Sequence, residues 1–379
     1  MAFPRPKFDI ADIVRMQRHD LEKQHWLSRP QKRVLTAISR CRTAALGGHL
    51  EVCTHCGHEH PAYNSCRNRH CPKCQALAQE KWIAARSEKI LPVPHLHQVF
   101  TLPAGMRSVA MRHPVEVYTA FFHAVSDLLL ELGRTRLGAT LGLTMVLHTW
   151  TRELAFHPHI HVLTTAGGLA LDGSRFVPVK RSKRGKLFLF HVTIMGQLLR
   201  GKMLDALRKL HRKGVFPELD PPAFDRLMAR LAAPKSWVVY AKAPFRKSKY
   251  VLSYLGRYTH RVGIANSRLV EVADDHVTFR TKHGKTATLH PVEFLRRFVQ
   301  HVLPDGFHKI RHAGLYASAQ PDGLLEKARA LLPLPKPRKE AQPVAAADAP
   351  RTCAHCGGLV LRLPLTAMAR SPPPEAACA

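Results

Sequence analysis

An α+β fold is what the sequence predicts, on three observations. Beyond Pro92 and Pro94, strand-like and helix-like patterns alternate along the chain. Some neighbouring strands are joined by links short enough for hairpins, which makes those pairs antiparallel. Before the prolines, helix-forming stretches surround a dense cluster of cysteines. Hairpins interspersed with helices, without strict βαβ repetition, belong to the α+β class.

Taken in order, the apolar residues Ile13, Met16, Leu21, Val34, Leu35 and Ile38 recur at helical spacing between Asp12 and Arg42. Pro30 interrupts them, so two short amphipathic helices are expected. Gln75 to Ile90 is rich in Ala, Glu and Lys without Gly or Pro, which predicts a helix leaving the cysteine cluster. His97 to Leu102 suits a strand, Val115 to Leu132 a helix, and Thr140 to Thr151 a strand of β-branched and apolar residues. His159 to Thr165 suits the antiparallel neighbour of that strand. Helices at Thr193–His211 and Ala223–Leu231 precede a strand at Trp237–Ala241 and a helix carrying Tyr254. Short strands follow near Leu269–Val272, Val277–Thr281 and Thr286–Leu289, then a helix at Val292–Val302. From Leu332 to Pro350 the chain is dominated by Pro, Ala and charge and reads as a flexible linker. Three segments result: 1–92, helical and metal-binding; 93–330, the main α+β body; and 331–379, a linker and tail.

The chain has 379 residues, enough for two or three domains. Lys and Arg number 58 against 27 acidic residues, a net charge of +31. That surplus exceeds what solubility requires and points to a polyanionic partner, nucleic acid first. No apolar run has the length of a membrane span, and residues 1–13 lack the apolar stretch of a signal peptide. A cytoplasmic protein without a membrane partner is expected.

Five of the nine cysteines fall between Cys53 and Cys74, with two Cys-x-x-Cys pairs. Such spacing is that of a metal site and not of a disulfide framework. Each pair presents two thiolates from one tight turn, and zinc wants four such ligands in a tetrahedron. Cys53, Cys56, Cys71 and Cys74 are the simplest set. Cys66 and His70 are available to replace one pair or, with His49, to build a second site. A zinc with all four positions filled by protein is structural. Arg67 and Arg69, inside the run Cys66-Arg67-Asn68-Arg69-His70, are placed to touch phosphates. Cys353 and Cys356 form half a site, which Cys378 or His355 would have to help complete.

His157-Pro158-His159-Ile160-His161-Val162 alternates with the period of a strand. His159 and His161 therefore share one face while Ile160 and Val162 share the other. Two imidazoles so placed can chelate one ion and leave it open positions, as a catalytic site needs. An isolated pair is more often solvent-facing, since 25 histidines in one chain make chance pairs common.

Ser248 to Tyr258 has helical spacing, with Val251, Leu252 and Leu255 as an apolar stripe and Tyr250, Tyr254 and Tyr258 along an adjoining one. Gly256 costs such a helix about 1 kcal/mol relative to Ala, which hints at close approach by another backbone or by DNA. Arg257, His260 and Arg261 surround the tyrosines with cations. Nearby cations or a metal ion would favour the phenolate, the nucleophilic form.

Together, Cys66-Arg67-Asn68-Arg69-His70-Cys71-Pro72-Lys73-Cys74-Gln75, His157-Pro158-His159-Ile160-His161 and Tyr254-Leu255-Gly256-Arg257-Tyr258-Thr259-His260-Arg261 resemble the HUH (His-hydrophobic-His) transposases of rolling-circle insertion sequences, the group of insertion sequence ninety-one. The resemblance implies a small helical zinc-binding domain, then an HUH nuclease-type central antiparallel sheet flanked by helices. It implies a divalent ion, Mg²⁺ or Mn²⁺, on His159 and His161, and Tyr254 or Tyr258 as nucleophile forming a 5′-phosphotyrosine. The partner would be single-stranded or hairpin DNA at transposon ends, with Arg67, Arg69, Arg257 and Arg261 as DNA contacts and no nucleotide cofactor. The setting would be a prokaryotic nucleoid. Relatives of this site commonly carry a third metal ligand, often a Gln one turn before the tyrosine. That position is Tyr250 here, so Gln98, His148 and His260 are the candidates. The rival readings are a zinc-dependent nucleic-acid-binding protein without catalysis and a His-x-His metal hydrolase. Against the hydrolase stand the charge and the lack of an acidic ligand set.

Overall fold

The computed structural model describes residues 6–180, 189–245, 256, 263–317, 323–333 and 351–364. The chain opens with α1 (Ile10–Gln24) and α2 (Arg29–Arg40). Asp9 caps α1 by accepting from the Ala11 N–H at 3.0 Å. The break at Pro30 is a helix start: Pro30 occupies the first turn of α2, where no donor is needed. Strands β1 (Gly48–Cys53) and β2 (Glu59–Tyr63) form a hairpin ahead of α3 (Gln75–Lys89).

The body is an antiparallel sheet in the order β11-β4-β5-β3-β7, with β6 paired to β5. Its strands are β3 (His95–Thr101), β4 (Ala139–Trp150), β5 (Phe156–Ala170), β6 (Phe176–Pro178), β7 (Val239–Phe245) and β11 (Ile310–Gly314). The expected hairpin is present, but its link is residues 151–155, and His157 and Pro158 lie inside β5, with Trp150 opposite Phe156, His148 opposite His159 and Leu147 opposite Ile160. Between β3 and β4 lie α4 (Arg107–Arg112) and α5 (Pro114–Leu132); α6 (Val192–Arg212) and α7 (Pro221–Ala232) follow β6. One face of the sheet, with Phe100, Leu143, Met145, Leu147, Ile160 and Val162, packs on the apolar stripes of these helices. Burying each such side chain contributes about 1.5–3 kcal/mol relative to exposure.

The opposite face is thinner and mixed. Val146 and Leu163 meet Trp82 of α3 and Ile90 just after it, so the helix leaving the cysteine cluster lies across this face. Arg86 of the same helix is buried there, donating to Thr144 Oγ1 at 3.2 Å with its guanidinium over the Tyr316 ring.

A second antiparallel sheet, β8 (Leu269–Val272), β9 (Val277–Arg280) and β10 (Thr286–Leu289), leads into α8 (Pro291–Val299). Phe279, Phe294, Leu295 and Phe298 from this region share one core with Ile10, Ile13, Leu21, Leu35 and Ile38 of α1 and α2. The N-terminal helices are thus packed against residues far along the chain, as the hydrogen bond from Gln31 Nε2 to Val299 O (2.9 Å, sequence separation 268) also records. Helix α9 (Leu324–Ala330) covers a small cluster around Leu91, Leu315 and Tyr316. Of the linker expected at Leu332–Pro350, residues 334–350 lie outside the described residues; beyond it, β12 (Val360–Pro364) adds to β1, giving a sheet β12-β1-β2. Among the described residues no helix is long and apolar enough to cross a membrane.

Candidate functional site

Three imidazoles meet on the α3-facing side of the main sheet. The alternation of β5 puts His159 and His161 on this face and Ile160 on the other, buried among the core residues. His148 stands directly opposite His159 on β4. The ring nitrogens of His148, His159 and His161 lie within 4.8 Å of one another, close enough to share one ion. His148 and His161 are buried, and Trp150 stacks on His148 at 4.6 Å between ring centroids.

Two of them, His159 and His161, have a far nitrogen already oriented by a neighbour. His159 Nδ1–H donates to the His157 carbonyl at 2.7 Å, which leaves Nε2 as the lone-pair nitrogen. His161 Nδ1 is 2.9 Å from Nε2 of His97, a buried residue of β3 whose ring plane is within 6° of its own. A hydrogen bond on the far nitrogen fixes tautomer and ring angle, the arrangement usual behind metal-binding histidines. Burial pushes His159 down to about 4, so its imidazole is neutral, the form that ligates.

Of the candidates for a third ligand, the structure brings His148 to the pair. Gln98 is engaged elsewhere, its Oε1 accepting from Thr164 Oγ1 at 2.8 Å. His260 lies outside the described residues, as do Tyr250, Tyr254, Arg257, Tyr258 and Arg261. Gly256, at the centre of the tyrosine run, is described: it is buried against α3, and a Cβ there would press on Ile83 and stand 3.2 Å from Gln79 Nε2. The close neighbours of Gly256 among the described residues are thus side chains of α3, and not the backbone or DNA that a helical glycine suggested.

The cysteines are grouped differently from the simplest expectation. Cys71 and Cys74 join Cys41 and Cys66, with Cys41 Sγ 3.3 Å and Cys66 Sγ 3.6 Å from Cys74 Sγ. Cys53 and Cys56 form a separate group with Cys353 and Cys356 of the tail. The set Cys53, Cys56, Cys71 and Cys74 is thus divided between two places. The physical reason is that each knuckle needs partners at tetrahedral edge distance, and β1 carries the first knuckle away from the second. Four thiols this close suit zinc, whose tetrahedron of sulfurs at about 2.3 Å has edges near ~3.8 Å. Burial pushes the Cys41 thiol up, whereas hydrogen bonding from Cys71 draws Cys66 down towards thiolate.

His70 is not among the thiols. It is buried, its Nε2 accepts from the Leu303 N–H at 3.2 Å, and it secures the cluster to the chain after α8. His49 sits beside Glu51 at 3.4 Å, also apart from both groups. Arg69, expected to touch phosphate, is turned inward: its guanidinium donates to the carbonyls of Phe307 at 2.6 Å and Pro304 at 2.7 Å. Arg67 is exposed, with φ of 51°, in the left-handed region that few non-glycine residues adopt. Cys41 and His97 went unmarked by spacing. Counting in fours was the available signal for Cys41, because Cys41 and Cys66 complete the second knuckle. No local pattern marks His97, since its role depends on strand register.

The chain matches two protein families along its length. Residues 13–102 match the family described as "Transposase zinc-binding domain", and residues 142–322 match the one described as "Putative transposase". Among curated proteins it is similar to "Putative transposase y4qJ" of Sinorhizobium fredii, with 41% identity over 345 residues, 87% of this chain and 85% of that protein. It is also similar to "Transposase for insertion sequence element IS801" of Pseudomonas savastanoi pv. phaseolicola, with 26% identity over 377 residues, 93% of this chain and 88% of that protein. No solved structure matches.

Proposed function

Since this chain belongs to the transposase family of insertion sequence ninety-one, with a structural zinc site in its N-terminal region, we propose that it cuts and rejoins DNA at transposon ends with a tyrosine nucleophile beside an ion held by His148, His159 and His161. The observation that carries this reading is the convergence of three imidazoles on one sheet face, two with their far nitrogens hydrogen-bonded. A solvent-facing chance pair would have neither the third ring nor the supports. A zinc-binding DNA clamp without chemistry has no use for them.

The donor set fits a divalent ion, and it fits Mn²⁺ better than Mg²⁺. Mg²⁺ prefers oxygen ligands throughout, whereas Mn²⁺, though it also favours oxygen, stands at the start of the first-row series along which affinity for imidazole rises. Bound there, the ion would supply Lewis-acid polarisation of the scissile phosphate and a fixed point for orienting it. His97 and the His157 carbonyl hold two of the ligand rings in place. The apolar face behind them, with Ile160 and Val162, keeps the strand from shifting register.

The chemistry assigned to Tyr254 or Tyr258 is attack of the phenolate oxygen on phosphorus. A P–O(tyrosine) bond forms, the P–O3′ bond breaks, and the 3′ oxygen leaves as a hydroxyl after taking a proton. Rejoining reverses these bonds with another 3′-OH, so no nucleotide cofactor is required. Two tyrosines permit two successive transfers. Gly256 between them lies against α3, the helix that also covers Val146 and Leu163 beside the histidines. That common neighbour supports placing the tyrosine run near the ion.

The substrate is DNA, in the proposed form single-stranded or hairpin. Exposed Arg67 and the exposed cations Arg208, Lys209, Arg212 and Lys213 at the end of α6 supply phosphate contacts, in a chain of net charge +31. The decisive experiment incubates the protein with labelled single-stranded end sequences and Mn²⁺ and looks for a denaturation-resistant protein–DNA adduct. The adduct should form with the native chain and vanish in the combined variant Tyr254→Phe, Tyr258→Phe. Its persistence in that variant would overturn the mechanism.

A further inference from the structure

The group Cys53, Cys56, Cys353 and Cys356 lies partly outside both family matches, because neither reaches the tail. Its ligand atoms nonetheless all fall within 4.8 Å of one another. Cys53 Sγ is 3.4 Å from Cys356 Sγ, and Cys56 Sγ is 3.9 Å from Cys353 Sγ. Both distances are near the edge of a zinc–sulfur tetrahedron.

The two halves are built alike. In the first, the N–H of Gly57 donates to the Cys53 carbonyl at 3.1 Å; in the second, the N–H of Gly357 donates to the Cys353 carbonyl at 2.9 Å. Gly57 and Gly357 close these turns with φ of 68° and 75°, where a side chain would be strained. Cys53 Sγ accepts from the His55 N–H at 3.4 Å, and Cys353 Sγ accepts from the His355 N–H at 3.4 Å. Amide donors aimed at sulfur favour thiolates over thiols. Gly358 passes so close that a Cβ would stand 2.6 Å from His55 Cβ and 3.2 Å from Cys53 Sγ.

The remaining contacts of the tail are modest. β12 pairs with β1, from Cys53 opposite Val360 to His49 opposite Pro364. Arg351 reaches Glu51 at 3.0 Å in an exposed ion pair, and Leu359, Leu361 and Leu363 are about half exposed. A short strand with an open apolar side and a surface ion pair is weakly held on its own.

We infer that this group is a second structural zinc site and that its ion fastens the C-terminal tail to the N-terminal zinc-binding region. Half of the ligands arrive before residue 57 and half after residue 352. The site therefore exists only in a chain synthesised past Cys356, and it closes a loop spanning most of the molecule. Fastening in this way fixes residues that a Pro- and Ala-rich linker would otherwise leave tethered at one end only.

Metal analysis of the full chain carrying His159→Ala and His161→Ala, which takes the imidazole group out of the tally, tests the count. Two zinc ions per chain are expected in that background, falling to one when Cys353→Ser and Cys356→Ser are added, with the fold retained because the Cys41 group is untouched. One ion before the serine substitutions, or two after them, would overturn the inference. So would a disulfide between the halves, read as fewer free thiols than cysteines after denaturation with a chelator and without reductant. A second test inserts a specific protease site between Pro343 and Ala347 and follows the tail after cleavage. It should co-elute with the body in zinc-loaded protein and separate on chelation. Equal retention, or equal loss, in both conditions would overturn the inference.

Discussion

His97 Nε2 stands 2.9 Å from His161 Nδ1, with both rings buried and nearly coplanar. With His161 Nδ1–H as the donor, its Nε2 is the lone-pair nitrogen on the side of His148 and His159. His97→Ala should therefore weaken Mn²⁺ binding by about 10–100-fold without removing a ligand. Calorimetric titration of the variant with Mn²⁺ measures this, and His97→Gln, which keeps a side-chain acceptor, should recover part of the loss. Unchanged affinity in His97→Ala would mean that His161 needs no support.

His148→Ala removes one of three nitrogens and leaves the His159–His161 pair. Affinity for Mn²⁺ should fall further than in His97→Ala, by more than about 100-fold, taking loss of a ligand as larger than loss of its support. The same titration orders the two variants. If His148→Ala binds as the native chain does, the ion rests on the pair alone or on a residue beyond the described ones.

Gly256 and Ile83 should be coupled. Alanine in a helix is favoured over glycine by about 1 kcal/mol, but overpacking a close contact costs about 1–3 kcal/mol. A Cβ at 256 would press on Ile83 Cδ1, with Cγ1 2.9 Å away, so the contact should win and Gly256→Ala should destabilise. Ile83→Val removes Cδ1 and should restore most of the stability in the double variant. Denaturant unfolding of the four proteins in the cycle checks this; a stabilising Gly256→Ala would show that α3 yields freely.

Acid should destabilise the fold between about pH 6.5 and pH 4. His95 and His301 are fully buried, and burial pushes both down to about 4. His301 Nε2–H donates to Leu154 O at 3.2 Å, and His95 Nδ1–H donates to Val93 O at 2.8 Å. Each stays neutral in the fold while the unfolded chain takes up its proton, so stability is complete above 6.5 and is lost as pH falls through 4. A shift from 6.5 to about 4 corresponds to about 3 kcal/mol for each. Melting temperature against pH should fall over this window, and His301→Gln should flatten the slope even where it lowers the starting value.

Much of the architecture was legible in the residues. The stripe of α5, the strands β4 and β5 and the hairpin between them follow from periodicity and from a link too short for anything else. The alternation at His159, Ile160 and His161 fixes which face each takes, because a strand has no other option. The second knuckle announced zinc through its spacing, whereas the glycine at 256 pointed to a backbone or DNA and met the side chains of α3 instead.

What the sequence by itself determined were properties set within a few residues: element type, strand faces, the presence of thiol pairs, and a charge that calls for a polyanion. Only the tertiary structure decided who meets whom. His148 joins His159 through strand register, and His97 backs His161 across β3. Arg69 turns to carbonyls after α8, and each cysteine knuckle finds its partners elsewhere in the chain, at Cys41 and Cys66 for one and in the distant tail for the other. The reason is that a metal site or a buried hydrogen bond is satisfied by proximity in space. Spacing along the chain reports proximity only within a turn or two, and beyond that it is the packing of α1, α2, α3 and the sheets that brings the groups together.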